Sequence, residues 1–405
     1  MAKRIKGVGF VASLLIAACV WLLHWTDPDE YRAYPDTFQY TRMALRIEGA
    51  PTPDVTALHV TSAESGVKSV DQRPGFERWL VERDNTFGPR YRAVFSPRIG
   101  LPLVLAAAYS VFGPKLGSAA GSAAMFVAAS GFLYLAARIL IGSRSAGLAA
   151  VVAFGLLPSG YWAATLLAES ALMVGICATL CGVAVLTTSS ERARHVVIGG
   201  SLTTMGLVFT VLARGVVGTS LAAVLALCAL TLGRSVVPRT QRRLLVGICA
   251  AVGIGFGVVT VVFHQPGIEE NLQLQATDRF THPDVKSVWS YLANAEVRML
   301  TDFIRSLPAH GYALVLIAAG VVTLLRCLGR RSWPWFSAFG IAVATGMSYP
   351  QTSSEFRFLS PLWIMVAAGF AAAVEAAWPA ARQAVVEAPR ARYAQVSTKP
   401  DATAS

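Results

Sequence analysis

The chain alternates long apolar runs with short polar ones. Ten of the runs are candidate membrane spans, judged against a hydrocarbon core of about 30 Å: Val8 to Trp25, Leu116 to Leu140, Ala146 to Leu166, Ser170 to Thr187, Val196 to Ala213, Val216 to Leu232, Leu244 to Phe263, Tyr312 to Leu325, Pro334 to Ser348 and Leu359 to Trp378. A shorter run, Ile99 to Phe112, lies between Arg98 and Lys115 and among Pro97, Pro102 and Pro114. It predicts an interfacial or re-entrant helix and not a crossing. Two polar segments, 26–115 and 264–310, separate the spans most widely. Within them Tyr40, Met43, Ala44 and Ile47, and again Val297, Leu300, Ile304 and Leu307, recur at helical spacing. Each set predicts a juxtamembrane helix lying along the lipid surface, together roofing a cavity between the spans. The expected architecture is an all-α polytopic membrane protein. It has one integral domain over residues 1–378 and a disordered, basic, cytoplasmic tail at 379–405.

Composition agrees: over 405 residues, 54% are apolar and 14% charged, which excludes an ordinary soluble enzyme. Charge then supplies sidedness, because Lys and Arg in short loops collect in the cytoplasm. With the amino terminus inside, Lys3, Arg4 and Lys6, then Arg138 and Arg144, then Arg192 and Arg194 are cytoplasmic. The alternation also places inside the clusters Arg234, Arg239, Arg242 and Arg243, then Arg326, Arg330 and Arg331, and the tail after Arg382. Counting Ile99 to Phe112 as a crossing would reverse every later loop. Of the 23 acidic residues, 19 fall on the outer side. The net charge of +12 is therefore a topology signal and implies no nucleic-acid partner. The expected location is a bacterial plasma membrane, with both termini cytoplasmic and any active site extracytoplasmic.

Six cysteines lie in or at the ends of apolar runs, so neither a disulfide framework nor a zinc site is indicated. Cys177 and Cys181 share a helix face, where packing is their expected role. The first run reads as an uncleaved anchor: it lacks a small-residue cleavage site before Asp27, and Trp21 and Trp25 form an interfacial belt. His264, His282 and His310 lack ligand spacing and read as loop histidines.

A set of residues in sequence order carries a resemblance. Asp36, Tyr40, Ala44 and Gly49 form a first-loop acidic motif. Pro97, Pro102, Leu103, Leu105, Tyr109, Phe112 and Gly113 form a proline-led helix ending in Phe-Gly. Leu157, Pro158, Ala168, Glu169 and Ser170 place an Ala-Glu pair after a helix-end proline. Gly206 with Arg214, and Glu355, Phe356, Arg357, Phe358 and Pro361, complete the series. The series resembles the membrane glycosyltransferases of the GT-C fold, mannosyl- and arabinosyltransferase-like enzymes that use polyprenyl-phosphate sugars at the extracytoplasmic face. Two departures stand out. Phe358 lies where Tyr is commoner, and one clear acid stands where some relatives have an adjacent pair, since Asp29 and Glu30 come seven and six residues too early. Use of a divalent cation is thus left open; no metal site or required cofactor is indicated.

The resemblance implies inverting sugar transfer from a polyprenyl-phosphate donor to a hydroxyl of a glycan, lipid or protein acceptor. An acceptor hydroxyl must lose its proton as it attacks, which makes Asp36 the candidate general base. The departing lipid phosphate gains negative charge, which a guanidinium stabilises best, so Arg357 leads and Arg214 and Arg98 share the task. Glu169 would orient substrate hydroxyls or Arg357 itself; Tyr40 belongs to the same motif, and Glu355 has the role of a partner to Arg357. Plainer roles compete. Asp36 can cap a helix after Pro35, Glu169 can be a solvated turn residue, and Arg214 and Arg357 can snorkel to the outer interface. Two other function classes also fit a polytopic chain. A transporter or flippase would show inverted repeats and mid-membrane charges, neither of which is found; a non-catalytic envelope scaffold needs no particular arrangement of Asp36, Glu169 and Arg357. No glycine-rich phosphate loop points to a nucleotide sugar.

Overall fold

A computed structural model describes residues 2–61, 82, 88–188, 193–348, 357 and 359–377. Fourteen helices carry the argument. They are α1 (Ala2–Thr26), α2 (Pro35–Glu48), α3 (Pro53–Thr61), α4 (Gly100–Ile141), α5 (Arg144–Leu156), α6 (Pro158–Ala163), α7 (Ala168–Thr188), α8 (Ala193–Ala213), α9 (Gly215–Leu230), α10 (Arg239–Val262), α11 (Ile268–Ala276), α12 (Val288–Leu328), α13 (Trp333–Ser348) and α14 (Leu362–Ala377). Among the described residues there is no strand.

Six stretches are helical, long and apolar enough to cross a membrane: Gly7–Thr26, Gly100–Ile141, Ala168–Thr187, Ala193–Ala213, Arg239–Val262 and Gly311–Gly346. The helices Arg144–Leu156, Gly215–Leu230 and Leu362–Ala377 are apolar but shorter. The ten-span expectation therefore needs correction in detail. The run Ala146 to Leu166 is not one helix. Pro158 cannot continue the hydrogen-bond ladder of α5, and Leu157 turns extended (φ −84°, ψ 166°) before α6 begins.

The core is the antiparallel pair α7 and α8, which lock through glycines. A side chain at Gly199 would run into Leu186, and one at Gly206 into Thr179. Gly175 meets Thr210 and Gly182 meets Thr203 in the same register. Thr179, Thr203 and Thr210 donate their hydroxyls to the carbonyls of Gly175, Gly199 and Gly206 at 2.7–2.8 Å, so no polar group is stranded in the seam. Small residues thus let two backbones touch, and the register fixes which ends meet.

Helix α4 reverses on itself at Gly113 (φ 70°, ψ 168°), a conformation open almost only to glycine. The arm before it folds against the arm after it: Tyr109 and Ala108 pack on Gly117, Leu105 packs on Gly121, and the Tyr109 and Ser118 hydroxyls lie 3.2 Å apart. The arm Gly100–Phe112 is a hairpin limb, about 20 Å long, and stops short of a full crossing.

Two expectations about the loops are overturned. Helix α2 does not lie on the lipid surface, because Phe38, Tyr40, Ala44 and Leu45 are buried together with Thr37, Gln39, Thr41 and Arg42; only Ile47 of the expected lipid face is exposed. Helical spacing identified an apolar stripe, but the opposite face is covered as well. The second loop does not hold a separate roof helix either. Val297, Leu300 and Ile304 belong to α12, which runs unbroken from Val288 to Leu328 and includes the expected span Tyr312 to Leu325. Those three side chains are exposed, and Leu307 lies outside the described side chains. Residues 379–405 also lie outside the described residues.

Candidate active site

The seam of α7 and α8 sets the site. Its end brings Glu169, in the first turn of α7, beside Arg214, where the chain passes from α8 to α9. Arg214 donates from Nη2 to Glu169 Oε1, and both are withdrawn from solvent, at 4% and 1% exposure. Arg357, just before α14, completes the group. Its Nε donates to Glu169 Oε1 at 2.7 Å, and its Nη2 reaches Glu169 Oε2 at 3.3 Å and Asp36 Oδ2 at 3.4 Å. One carboxylate is thus held by two guanidiniums, and one guanidinium bridges two carboxylates.

Asp36 is the second residue of α2. Tyr34 occupies the capping position, with Thr37 Oγ1 accepting its backbone N–H at 2.9 Å, so the capping role considered for Asp36 is not the one it plays. Its carboxylate gains from the positive end of the helix dipole and is the most open acid of the group, at 26% exposure. Thr37 also donates to the Leu166 carbonyl at 3.0 Å, and Leu166 N–H donates to the Arg32 carbonyl at 2.9 Å. These bonds tie α2 to the turn between α6 and α7 and hold Asp36 near Glu169.

Tyr40 lies one turn beyond Asp36, fully buried, and its hydroxyl has no partner among the described residues. Burial pushes the phenol pKa up, while Arg98, Arg214, Asp36 and Glu169 all act on it electrostatically. Four sequence candidates, Asp36, Glu169, Arg214 and Arg357, are thus joined in one bonded group. Burial opposes the charge of Arg357, but Glu169 and Asp36 outweigh it and hold its pKa above the usual guanidinium value. Arg98 stacks on Phe95 at 5.0 Å and donates to Asn271 Oδ1 at 2.9 Å. With Arg214 it lines a crevice of about 20 Å³ bounded by Pro97, Phe256 and Pro266.

The plain readings of Glu169 as a solvated turn and of the arginines as snorkelling side chains fit poorly, since Glu169 and Arg214 are buried, Arg357 is largely covered, and both guanidiniums bond the Glu169 carboxylate. Glu355, the last candidate, lies outside the described residues. Sequence reasoning missed Asn271, which carries no motif and reaches Arg98 from 173 residues away. Asp29 and Glu30 do not extend the acidic motif. Glu30 is taken by His24 at 2.8 Å and Arg32 at 2.5 Å, while Asp29 N–H bonds Asp27. The residues present suit a divalent cation poorly: Asp36 and Glu169 both face Arg357, so a cation would enter among guanidiniums with two carboxylates to hold it. Among the described residues no three His, Cys, Asp or Glu side chains gather as a ligand set.

The meeting of Asp36 with Glu169 also counts crossings. The second limb of α4 runs one way and α5–α6 returns, an even number, which agrees with a limb before Gly113 that does not cross.

No known family and no curated protein matches the chain by sequence. Among solved structures, it is similar to the oligosaccharyltransferase of Archaeoglobus fulgidus crystallised with zinc and sulfate. The TM-score is 0.50 at 15% identity, over 94% of this chain and 51% of that one. It is similar also to the archaeal oligosaccharyltransferase AglB from the same organism in complex with an inhibitory peptide and a dolichol-phosphate (TM-score 0.50, 13% identity, 99% and 53% covered). The fold is GT-C-like. The chain spans about half the length of the solved structures it matches. The six long apolar stretches are the candidate spans of this GT-C-like fold, and Asp36, Glu169, Arg214 and Arg357 gather in one group.

Proposed function

We propose that the chain is a membrane glycosyltransferase that moves a sugar from a polyprenyl-phosphate donor to a hydroxyl at the extracytoplasmic face. The observation that carries this is the bridge of Arg357 between Asp36 and Glu169. It joins a partly open carboxylate to a permanently charged group of the kind a leaving phosphate needs. The likeness of fold to oligosaccharyltransferases, one of them solved with a dolichol-phosphate, supports the donor class.

In this mechanism Asp36 accepts the proton of the acceptor hydroxyl while its oxygen forms a bond to the anomeric carbon from the face opposite the phosphate. The bond from that carbon to the phosphate oxygen breaks, its electron pair stays on the lipid phosphate, and the configuration inverts. Arg357 lies nearest the open side of the group and stabilises the departing phosphate. Arg98 approaches from the crevice it shares with Arg214. Glu169 and Arg214, nearly free of solvent, are positioning residues that hold the Arg357 guanidinium in register. The Tyr40 hydroxyl, buried without a described partner, is available to a substrate oxygen.

The test uses the full chain in lipid nanodiscs, a panel of polyprenyl-phosphate sugars, and glycan, lipid and peptide acceptors. Asp36→Asn keeps the shape and removes the base, so transfer is expected to fall by about 10²- to 10⁴-fold with little change in melting temperature. Undiminished transfer by Asp36→Asn removes the base assignment. No transfer from any donor by the parent overturns the enzyme reading in favour of a transporter or scaffold.

A further inference from the structure

Helix α9 begins at the charged cluster. About 24 Å along it, at 1.5 Å per residue, it ends at a second feature. There a cavity of about 580 Å³ lies between two short 3-10 turns, Leu232–Ser235 and Gly329–Ser332. Its volume falls in the range of small-molecule sites. Arg234 and Arg330 stand at its rim, with Ser235 and Ser332 between them, and Arg330 Nη1 donates to Ser235 Oγ at 3.2 Å. The floor is apolar and aromatic: Leu232, Leu325, Trp333 and Phe336.

Three observations define what would fit. First, no acidic side chain lines the cavity, and among the described residues neither Arg234 nor Arg330 pairs with a carboxylate. Among the described residues, then, no carboxylate answers the positive charge on two turns that already face each other. Second, the helices that end there present bare apolar side chains: Leu227, Leu230, Leu232 and Leu325 are 47–61% exposed. A ligand with a charged head and long apolar chains matches both parts, whereas a free anion would leave the apolar skirt unused. Third, the cavity lies on the side that the arginine clusters assign to the cytoplasm, where anionic lipid headgroups collect.

We propose that this cavity holds the phosphate headgroup of an anionic membrane phospholipid, with Arg234 and Arg330 on the phosphate and the acyl chains along the exposed leucines. The site is separate from the charged cluster and does not rest on the glycosyltransferase reading.

The test is native mass spectrometry of the full chain in detergent, supplied with equal amounts of phosphatidylglycerol and phosphatidylcholine. The parent is expected to retain one phosphatidylglycerol with a preference of at least about tenfold. Arg234→Gln with Arg330→Gln should bring the two lipids to parity, whereas Arg234→Lys with Arg330→Lys keeps the charge and most of the preference. Arg138→Gln, a substitution outside the cavity, should leave it intact. Parity in the parent, or an undiminished preference in the double Gln variant with an unchanged melting temperature, overturns the proposal. So does displacement of the lipid by millimolar inorganic phosphate to the same extent in both variants and parent. If the double Gln variant fails to fold, loss of preference in the folded Lys variant also counts against it, because a site for phosphate charge must tolerate lysine.

Discussion

The two ends of α9 use the same side chain in opposite ways. At one end Arg214 is buried against Glu169, which Arg357 also grips, and Asp36 hangs from the other side of Arg357. At the other end Arg234 and Arg330 are exposed around a cavity with no acid in its wall. The contrast lies in how the charge is answered. Where carboxylates from remote segments answer it, the guanidiniums are fixed before any ligand arrives. Where no described carboxylate answers it, the proposed site has room for an anion from outside. The net charge of +12 conceals the difference, and only burial and pairing reveal it.

The largest effect should come from breaking the closed end. Glu169→Gln leaves two buried guanidiniums facing a neutral amide, and a loss of about 3–5 kcal/mol is expected in detergent unfolding. A loss under about 1 kcal/mol would mean that the cluster is wet and that its two ends differ less than their geometry indicates. Next is the seam that aligns the cluster. Gly206→Leu forces a side chain into Thr179 and should destabilise by about 1–3 kcal/mol, with Glu169 and Arg214 drawn out of register. Crosslinking of cysteine pairs across α7 and α8 would read that shift. At the open end, Arg234→Gln with Arg330→Gln should change unfolding by less than about 0.5 kcal/mol, since among the described residues the side-chain bond they make is the exposed one from Arg330 to Ser235. A larger loss would show that they are structural.

The smallest expected effect is a matter of pH at a third site, around Arg90. Arg90 joins Glu270 at 2.5 Å and Asp284 at 2.7 Å and lies over Phe280 at 4.2 Å, clasping residues 88–95 to the second loop. The hydrogen bond from Arg90 holds the Asp284 carboxyl below its ordinary value. A lowered native value means that the clasp contributes fully above the unfolded value, roughly pH 4, and is lost as pH falls through the lower native one. Hydrogen exchange over 278–284 should therefore quicken only on acidification below that value. Acceleration already at neutral pH would show that the clasp is not formed in solution.

Much of this was legible in the chain itself. Apolar runs located the helices, and arginine asymmetry put Asp36, Glu169, Arg214 and Arg357 on one side. What periodicity could not convey was what lies against each face. Tyr40, Met43, Ala44 and Ile47 read as a lipid-facing stripe because spacing has no way to report that Thr37, Thr41 and Arg42 behind them are covered too. Val297 and Ile304 read as a separate helix because polar residues interrupt hydropathy without interrupting the helix. Pro158 was visible, yet its break counts for more than the apolar length of 146–166. The site was legible as a set of residues and illegible as bonds. That Glu169 meets Arg214 rests on Gly175, Gly182, Gly199 and Gly206, which set the helix register and look unremarkable in sequence.

The bridge made by Arg357 has a consequence in time. It reaches back 188 residues to Glu169 and 321 to Asp36. A ribosome feeding this chain into a membrane delivers Asp36 first, then Glu169 and Arg214, and the guanidinium that joins them only after the intervening helices have been inserted. Until then Glu169 has Arg214 alone and Asp36 waits without its described partner. The cluster closes last, so a nascent chain that stalls or inserts one helix wrongly never assembles it.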